Sequence, residues 1–236
     1  MPTPLTRLML ALAIIFNVVP LAYTGILIAP GTTANSDDDA RMRFIAAHAT
    51  LWSAGWVLWM VASLGLVLSI WTLAEAMAPR VKTGRSGVSG GALLRLAVVT
   101  AAIGGAIDLV GDGIQVAVLP KLATQQSAGT TLLFQLADHL ASTLSGGAAN
   151  TLYFVAGLLV LIVLARIGDF PRWITGLGWM AWLVTLGATP AIFIPALAPI
   201  VVASALLLYC AWLGAIALWG LSAPLEWGKR LHLFRV

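Results

Sequence analysis

Long apolar runs alternate with short polar stretches along almost the whole chain of 236 residues. A helix that crosses a bilayer needs about 20 predominantly apolar residues, and six segments of the sequence meet this requirement. These segments are approximately residues 5–29, 44–77, 92–119, 132–167, 173–197 and 199–221. The pattern predicts an all-α fold, a polytopic membrane bundle of six transmembrane helices that forms one domain over residues 1–236.

Proline and glycine mark the predicted ends of these segments. Pro30 and Gly31 follow the first segment, Pro79 the second and Pro120 the third, as expected for residues that end helices. The first segment has the outline of a signal peptide, but no A-x-A cleavage pattern follows its apolar part. We therefore expect it to be retained as the first helix of the bundle.

Composition points to the same class of protein. Only 9% of the residues are charged, and the mean hydropathy is +0.97, which is typical of a protein that has the lipid bilayer as its surroundings. The net charge of +4 is spread along the chain without a dense basic patch, so nucleic-acid binding is not expected. The single cysteine, Cys210, has no partner for an intramolecular disulfide.

Basic residues are distributed unevenly between the polar stretches on the two sides of the bundle, and the richer side normally faces the cytoplasm. Of the 13 basic residues, all but Arg41, Arg43 and Lys121 fall on one side. This bias predicts that both termini are cytoplasmic. The stretches TTANSDDDARMR and KLATQQSAGTT are then predicted to be external loops.

Five ionisable side chains fall in the outer halves of three predicted spans. Asp112 and His139 each lie about 10 Å below the outer boundary, and His48 lies about 6 Å below it. Asp108 lies one helical turn deeper than Asp112, and Asp138 precedes His139. Because an ionised aspartate in the middle of a span costs about 2.5 to 3.5 kcal/mol, we expect these side chains to face the bundle interior and one another.

Other residues of these spans complete a predicted pocket. Asp108, Asp112 and Gln115 recur at helical spacing on one face, while Trp56 and Trp59 continue a stripe below His48 in the second span. An apolar, aromatic-lined pocket with a few polar groups is the usual form of a small-molecule site. The predicted ligand-binding residues are Trp56, Trp59, Asp108, Asp112, Gln115, Asp138 and His139. No catalytic residue is identified.

Structural interpretations of the same residues stay open. Asp138 and His139 point about 100° apart, so each could hydrogen-bond a neighbouring helix instead. His48 lies near the membrane interface, where a solvated imidazole costs little free energy, so it could be a solvated side chain without a binding role. Asp108 and Asp112 could share a proton or bridge to a histidine in a purely structural arrangement.

The chemistry of these groups leaves several functions open. Imidazole and carboxylate groups suit Zn, Fe, Cu or Mn, and His48, Asp112 and His139 are the candidate metal ligands. The spacing matches no known metal motif, and His48 with His139 could alternatively hold a haem. The cofactor is thus unknown, with a transition metal or haem as the candidates.

We therefore expect an integral membrane protein with an outward-facing Asp/His pocket for a small ligand, ion or metal. The alternatives are a metal- or haem-dependent membrane enzyme and a proton-coupled transporter of a small solute, although the polar residues stop midway across the bundle. The last span, rich in alanine and glycine, would suit contact with other membrane subunits or with a second copy in a homo-oligomer.

The passage LIVLARIGDFPRWITGLGWMAWLVTLG, residues 161–187, combines a long helix, a short basic turn and a glycine-rich helix. It resembles a family of uncharacterised bacterial six-helix membrane proteins of about this length. The resemblance implies the six-helix architecture and a location in a bacterial cytoplasmic (inner) membrane. It implies no activity, and none of the aspartates or histidines matches a motif of that family.

Overall fold

The computed structural model describes residues 3–32, 37–81, 89–125, 127–168, 170–191, 194 and 196–222, and every regular element in these ranges is helical. The α-helices within them are α1 (Pro4–Tyr23), α2 (Asp38–Ala47), α3 (Ala49–Met77), α4 (Gly90–Ala117), α5 (Leu119–Gln125), α6 (Ala128–Ser142), α7 (Asn150–Ile167), α8 (Arg172–Ala191) and α9 (Ala198–Ser222). Two π-helical segments, Thr24–Ile28 and Thr143–Ala149, continue α1 and join α6 to α7. Two short 3-10 turns, Ala29–Gly31 and Ala78–Arg80, follow the first π segment and α3.

Several of these helices are long and apolar enough to cross a membrane. Within the described ranges there are five such stretches, namely Pro4–Gly31, Ala49–Arg80, Gly90–Gln125, Gly129–Ile167 and Ala198–Trp219. The all-helical architecture and an integral membrane location follow from their length and composition. The fifth predicted span corresponds to α8, which has 20 residues but is less apolar, because tryptophan, threonine and glycine interrupt its aliphatic residues.

The long helices pack as a closed ring. Neighbours around the ring are α1, α3, α4, α7, α8 and α9, and α9 contacts α1 again. Glycines allow the closest approaches: a Cβ added at Gly157 would lie 2.1 Å from the ring of Trp182 on α8. The half of the ring farther from α2 is filled by an apolar core that includes Leu73, Leu164 and Leu213.

The first predicted external loop is helical in part. The Asp37 side chain accepts hydrogen bonds from the backbone N–H groups of Asp39 and Ala40, and acidic residues in the first turn complement the helix dipole of α2. At His48 the backbone leaves the helical region, with φ −128° and ψ 35°. The long helix of the second predicted span therefore starts at Ala49, five residues after the predicted start at residue 44.

The second predicted external loop is also largely helical. The chain turns at Val118 and continues as α5, and α6 already begins at Ala128 behind a capping arrangement of Ser127 and Thr130. α2, α5 and α6 contact one another at one end of the ring. A second, smaller core lies beneath them and includes Ile45, Leu119 and Phe134. This end of the protein thus carries a packed helical layer instead of two open loops.

Candidate functional site

A cavity of about 260 Å³ lies inside the ring, in the half that is nearer to α2. It extends from Thr32 and Pro199 at that end to Leu66 and Tyr209. Ten residues of α9 separate Pro199 from Tyr209, which corresponds to about 15 Å. This length is about half the thickness of a hydrocarbon core, which is about 30 Å.

Polar side chains line one wall of the cavity, and aromatic rings line much of the remainder. The polar wall is formed by α4 and by the helix that runs from α6 into α7, with Asp108, Asp112, Ser142, Ser145 and Asn150. The aromatic residues come from α3, α8 and α9 and are Trp56, Trp59, Trp182 and Tyr209. This arrangement is that of a small-molecule site, in which a few polar groups sit in a largely apolar surface.

Asp108 connects three helices at the cavity wall. Its Oδ2 accepts hydrogen bonds from the Ser63 hydroxyl on α3 at 2.6 Å and from the Tyr153 hydroxyl on α7 at 3.1 Å. A carboxylate inside a bundle is tolerated when such donors replace water. Asp108 thus has partners that hold its orientation toward the cavity.

Asp112 lies one turn further along the same face of α4 but has a different environment. The residue is only 2% exposed, and its Oδ2 has no hydrogen-bond partner among the described residues. The indole N–H of Trp56, which also lines the cavity, lacks a partner within the same ranges. Buried polar atoms are nearly always hydrogen-bonded, so these two groups are available to an occupant of the cavity.

Trp59 is held in place by a hydrogen bond to the segment that follows α1. Its indole N–H donates to the Thr24 hydroxyl at 2.6 Å, and Thr24 begins the π-helical segment that follows α1. The second π segment supplies Ser145 and Gly146 to the wall. Both π-helical segments therefore border the cavity, and such segments occur frequently at functional sites.

A close approach of α4 to the second π segment shapes the polar wall. A Cβ added at Gly111 would lie 2.9 Å from the backbone oxygen of Ala141 and 3.1 Å from the Ser145 Cβ. Only glycine allows this separation, because a real side chain would push the two helices apart. Gly111 therefore helps to bring Asp112 and Ser145 to the same cavity.

Asp138, by contrast, forms a buried ion pair outside the cavity. Arg41 on α2 is only 4% exposed, and its Nη2 donates to Asp138 Oδ2 at 2.9 Å. Its Nη1 donates to Asp38 Oδ1 at 3.0 Å, and its Nε donates to the carbonyl oxygen of Gly31 at 3.1 Å. The Gln115 side chain completes this network by donating from Nε2 to Asp138 Oδ1 at 3.3 Å.

Arg41 is not recognisable as a site residue from the sequence, because its stretch has the composition of a solvated loop. The spacing of Asp38 and Arg41, three residues apart, was the available signal for a helix with an internal ion pair. A second signal for a packed helix was the presence of two apolar residues close to Arg41, Met42 and Ile45. Both are buried in the structure.

Neither histidine belongs to the cavity. His139 is exposed because it follows buried Asp138 by one residue, about 100° around the helix. His48 is exposed at the turn between α2 and α3, where its Nδ1 lies 3.0 Å from the Phe44 carbonyl oxygen and its ring stacks on the Phe44 ring.

The described ranges contain no group of three or more His, Cys, Asp or Glu side chains placed to hold a metal. The predicted metal set of His48, Asp112 and His139 is therefore not assembled. The predicted haem ligation by His48 and His139 is not supported either, because both histidines are exposed and neither lines the cavity.

The predicted ligand-binding residues thus divide between two places. Four of them line the cavity, namely Trp56, Trp59, Asp108 and Asp112, whereas Gln115, Asp138 and His139 do not. The sequence did not predict the lining residues on α8 and α9, which include Trp182, Thr185 and Tyr209. Nothing local distinguishes them from other residues of apolar helices, because their position depends on how the ring closes.

Comparisons with known proteins found no matching family model, no matching curated protein and no matching solved structure. Any functional conclusion therefore depends on the geometry of the cavity.

Proposed function

We propose that this chain is a six-span integral membrane binding protein whose cavity takes up a small ligand from the side of the membrane opposite the two termini. The observation that carries the proposal is the cavity itself, with Asp108 and Asp112 on one wall and unpartnered polar atoms on Asp112 and Trp56. A purely structural cluster would be expected to pair its carboxylate oxygens with its own donors, as the Arg41 network does for both oxygens of Asp138.

The position of α8 supports the sixth span. α8 packs between α7 and α9 as a member of the ring, and its 20 residues span about 30 Å. The distribution of basic residues supports the orientation, because Arg41, one of the three on the α2 side, is bound in an internal ion pair. Both termini then lie in the cytoplasm.

Binding is favoured over passage because the cavity ends midway. Beyond Leu66 and Tyr209, the ring is filled by the apolar core around Leu73 and Leu164. A proton-coupled transporter would need a path through this half, and no described feature favours one. Association with other membrane subunits and a bacterial cytoplasmic membrane stay predictions from the sequence alone.

Thiol labelling tests the outward opening of the cavity. In a Cys210→Ala background, Ser145→Cys places a thiol on the cavity wall, and Ala97→Cys places one in the filled half, where Ala97 is fully buried. We expect a membrane-impermeant maleimide, added to intact cells, to label Ser145→Cys but not Ala97→Cys. Labelling of Ser145→Cys only after the cells are opened would contradict the proposed orientation.

Ligand binding is tested by thermal stabilisation of the purified protein with a panel of small amines, acids and alcohols. Val202 lines the cavity on α9, so Val202→Trp should fill the cavity and serve as the matched control. We expect at least one class of compound to raise the melting temperature of the wild-type protein but not of Val202→Trp. Identical responses of the two proteins to every class would reject a binding function for this cavity.

A further inference from the structure

We infer that the ligand of the cavity is a small organic cation, with an ammonium group that faces α4 and an apolar body that faces α9. The inference rests on the proposed binding function and specifies the chemical class of the ligand. It is carried by four features of the cavity, namely its acidic groups, its unpartnered acceptor, its aromatic rings and the division between its walls.

The ionisable side chains that line the cavity within the described residues are acidic or phenolic, and none is basic. Asp108 and Asp112 contribute two carboxyl groups, and none of the described residues that line the cavity is lysine, arginine or histidine. The buried arginine at this end of the protein, Arg41, is bound to Asp38 and Asp138. It therefore does not act as a counter-ion for the cavity, which leaves this role to a ligand.

Asp112 provides an acceptor for such a ligand. Its Oδ2 is buried and has no hydrogen-bond partner among the described residues, while Asp108 already accepts from Ser63 and Tyr153. An ammonium N–H group donates to a carboxylate in a charge-assisted bond, which is stronger than a bond between neutral groups. A carboxylate away from water is also stabilised by an opposite charge nearby. Both effects favour a cation over a neutral or anionic molecule.

The aromatic rings around the carboxyl groups favour the same ligand. Trp56, Trp59 and Tyr209 line the cavity, and the face of an aromatic ring attracts a cation within about 6 Å of its centre. These rings also form an apolar surface, so they suit a cation that carries a hydrophobic group better than a strongly hydrated inorganic ion.

The walls differ in polarity, which determines the shape of the ligand. α4 contributes the carboxyl groups, whereas α9 contributes Pro199, Val202 and Leu206. A ligand that satisfies both walls has a charged head and an apolar body. The cavity volume of about 260 Å³ lies just below the approximately 300 to 1,000 Å³ of pockets for drug-sized ligands, which limits the ligand to a small molecule.

Isothermal titration of the full chain in lipid nanodiscs at pH 7 tests the inference with three compounds that share a phenyl group and differ in the head. Phenethylammonium is the cation, 2-phenylethanol the neutral analogue and phenylacetate the anion. We expect phenethylammonium to bind at least about tenfold more tightly than 2-phenylethanol, as the loss of a charge-assisted bond predicts. Phenylacetate should bind more weakly still.

Two isosteric variants test whether Asp112 is responsible for the tighter binding of the cation. Asp112→Asn should weaken the binding of phenethylammonium by at least about tenfold and leave the binding of 2-phenylethanol unchanged. Asp39→Asn is the matched control, because it removes an exposed carboxylate at the same end of the protein and should change neither affinity. A role of Asp112 that is only structural would instead weaken both compounds equally and lower the melting temperature.

The outcomes separate this inference from the proposed function. Equal affinity for phenethylammonium and 2-phenylethanol, with both lost in Val202→Trp, would overturn the cationic class and leave the binding cavity intact. Absence of binding by all three compounds would also overturn the inference. The labelling of Ser145→Cys then decides whether the outward-facing cavity stands.

Discussion

Removal of one partner of the buried Arg41–Asp138 ion pair is expected to destabilise the protein strongly. The two charged groups lie 2.9 Å apart, and the two residues are only 4% and 7% exposed. Asp138→Leu would leave the Arg41 guanidinium with Asp38 as its remaining carboxylate partner, and the Asp38 side chain is 32% exposed. The remaining pair is thus partly hydrated and compensates only in part for the lost one.

The magnitude follows from the cost of an uncompensated buried charge. Breaking a buried pair by removing one partner costs about 3 to 5 kcal/mol. The partly exposed pair with Asp38 offsets at most about 1 kcal/mol of this destabilisation. We therefore expect Asp138→Leu to lower the free energy of unfolding by about 3 kcal/mol. Arg41→Met combined with Asp138→Leu should cost far less than the sum of the two single substitutions, since an apolar pair of similar volume leaves no buried charge.

The assay is a double-mutant cycle measured by unfolding in mixed detergent micelles, with tryptophan fluorescence as the signal. Arg43→Met is the matched control, because Arg43 lies 3.9 Å from Asp37 and both side chains are at least 60% exposed. It should change the free energy of unfolding by no more than about 1 kcal/mol. Additive effects of Arg41→Met and Asp138→Leu, or equal losses for Arg43→Met and Asp138→Leu, would show that the buried pair does not stabilise the protein in this way.

Three further predictions concern helix packing, the cavity wall and topology. Gly111→Ala should destabilise the protein by about 1 to 3 kcal/mol, because the added Cβ would lie 2.9 Å from the Ala141 backbone oxygen. Gly113→Ala is the control in the same unfolding assay and should be neutral or slightly stabilising, because the nearest atom to its Cβ lies 3.9 Å away. Ser63→Ala removes a donor to Asp108 and should cost about 1 to 3 kcal/mol; a loss below the error of the unfolding measurement would argue against that bond. Topology reporters placed between α7 and α8 should read as cytoplasmic and those between α8 and α9 as external, and the same reading at both places would rule out α8 as a span.

Much of the helical layout could be predicted from the sequence, because it depends on local properties. The length of an apolar run decides whether a helix can cross the bilayer, and the described helices follow five of the predicted spans in length and composition. The spacing of Asp108 and Asp112 was enough to place both on one face of a helix, and both line the cavity. Trp56 and Trp59 reach the cavity for the same reason.

The partners of the charged groups could not be predicted in this way. Arg41 and Asp138 are separated by 97 residues in the chain. No local pattern indicates that α2 packs against α6. The burial of Asp138 and the exposure of His139 differ only by a rotation around one helix, which the packing of that helix decides. The sequence alone therefore overestimated the size of the site by grouping side chains that share a depth but not a direction.

The composition and period of single segments are sufficient to predict that this chain forms apolar helices and that α4 carries two carboxyl groups on one face. Which groups meet depends on long-range packing, since closure of the ring brings α8 and α9 opposite α4 and creates the cavity. The burial of Arg41 beside Asp138 depends on the same packing. No single segment contains this information, because the cost of a buried charge depends on partners supplied by distant parts of the chain.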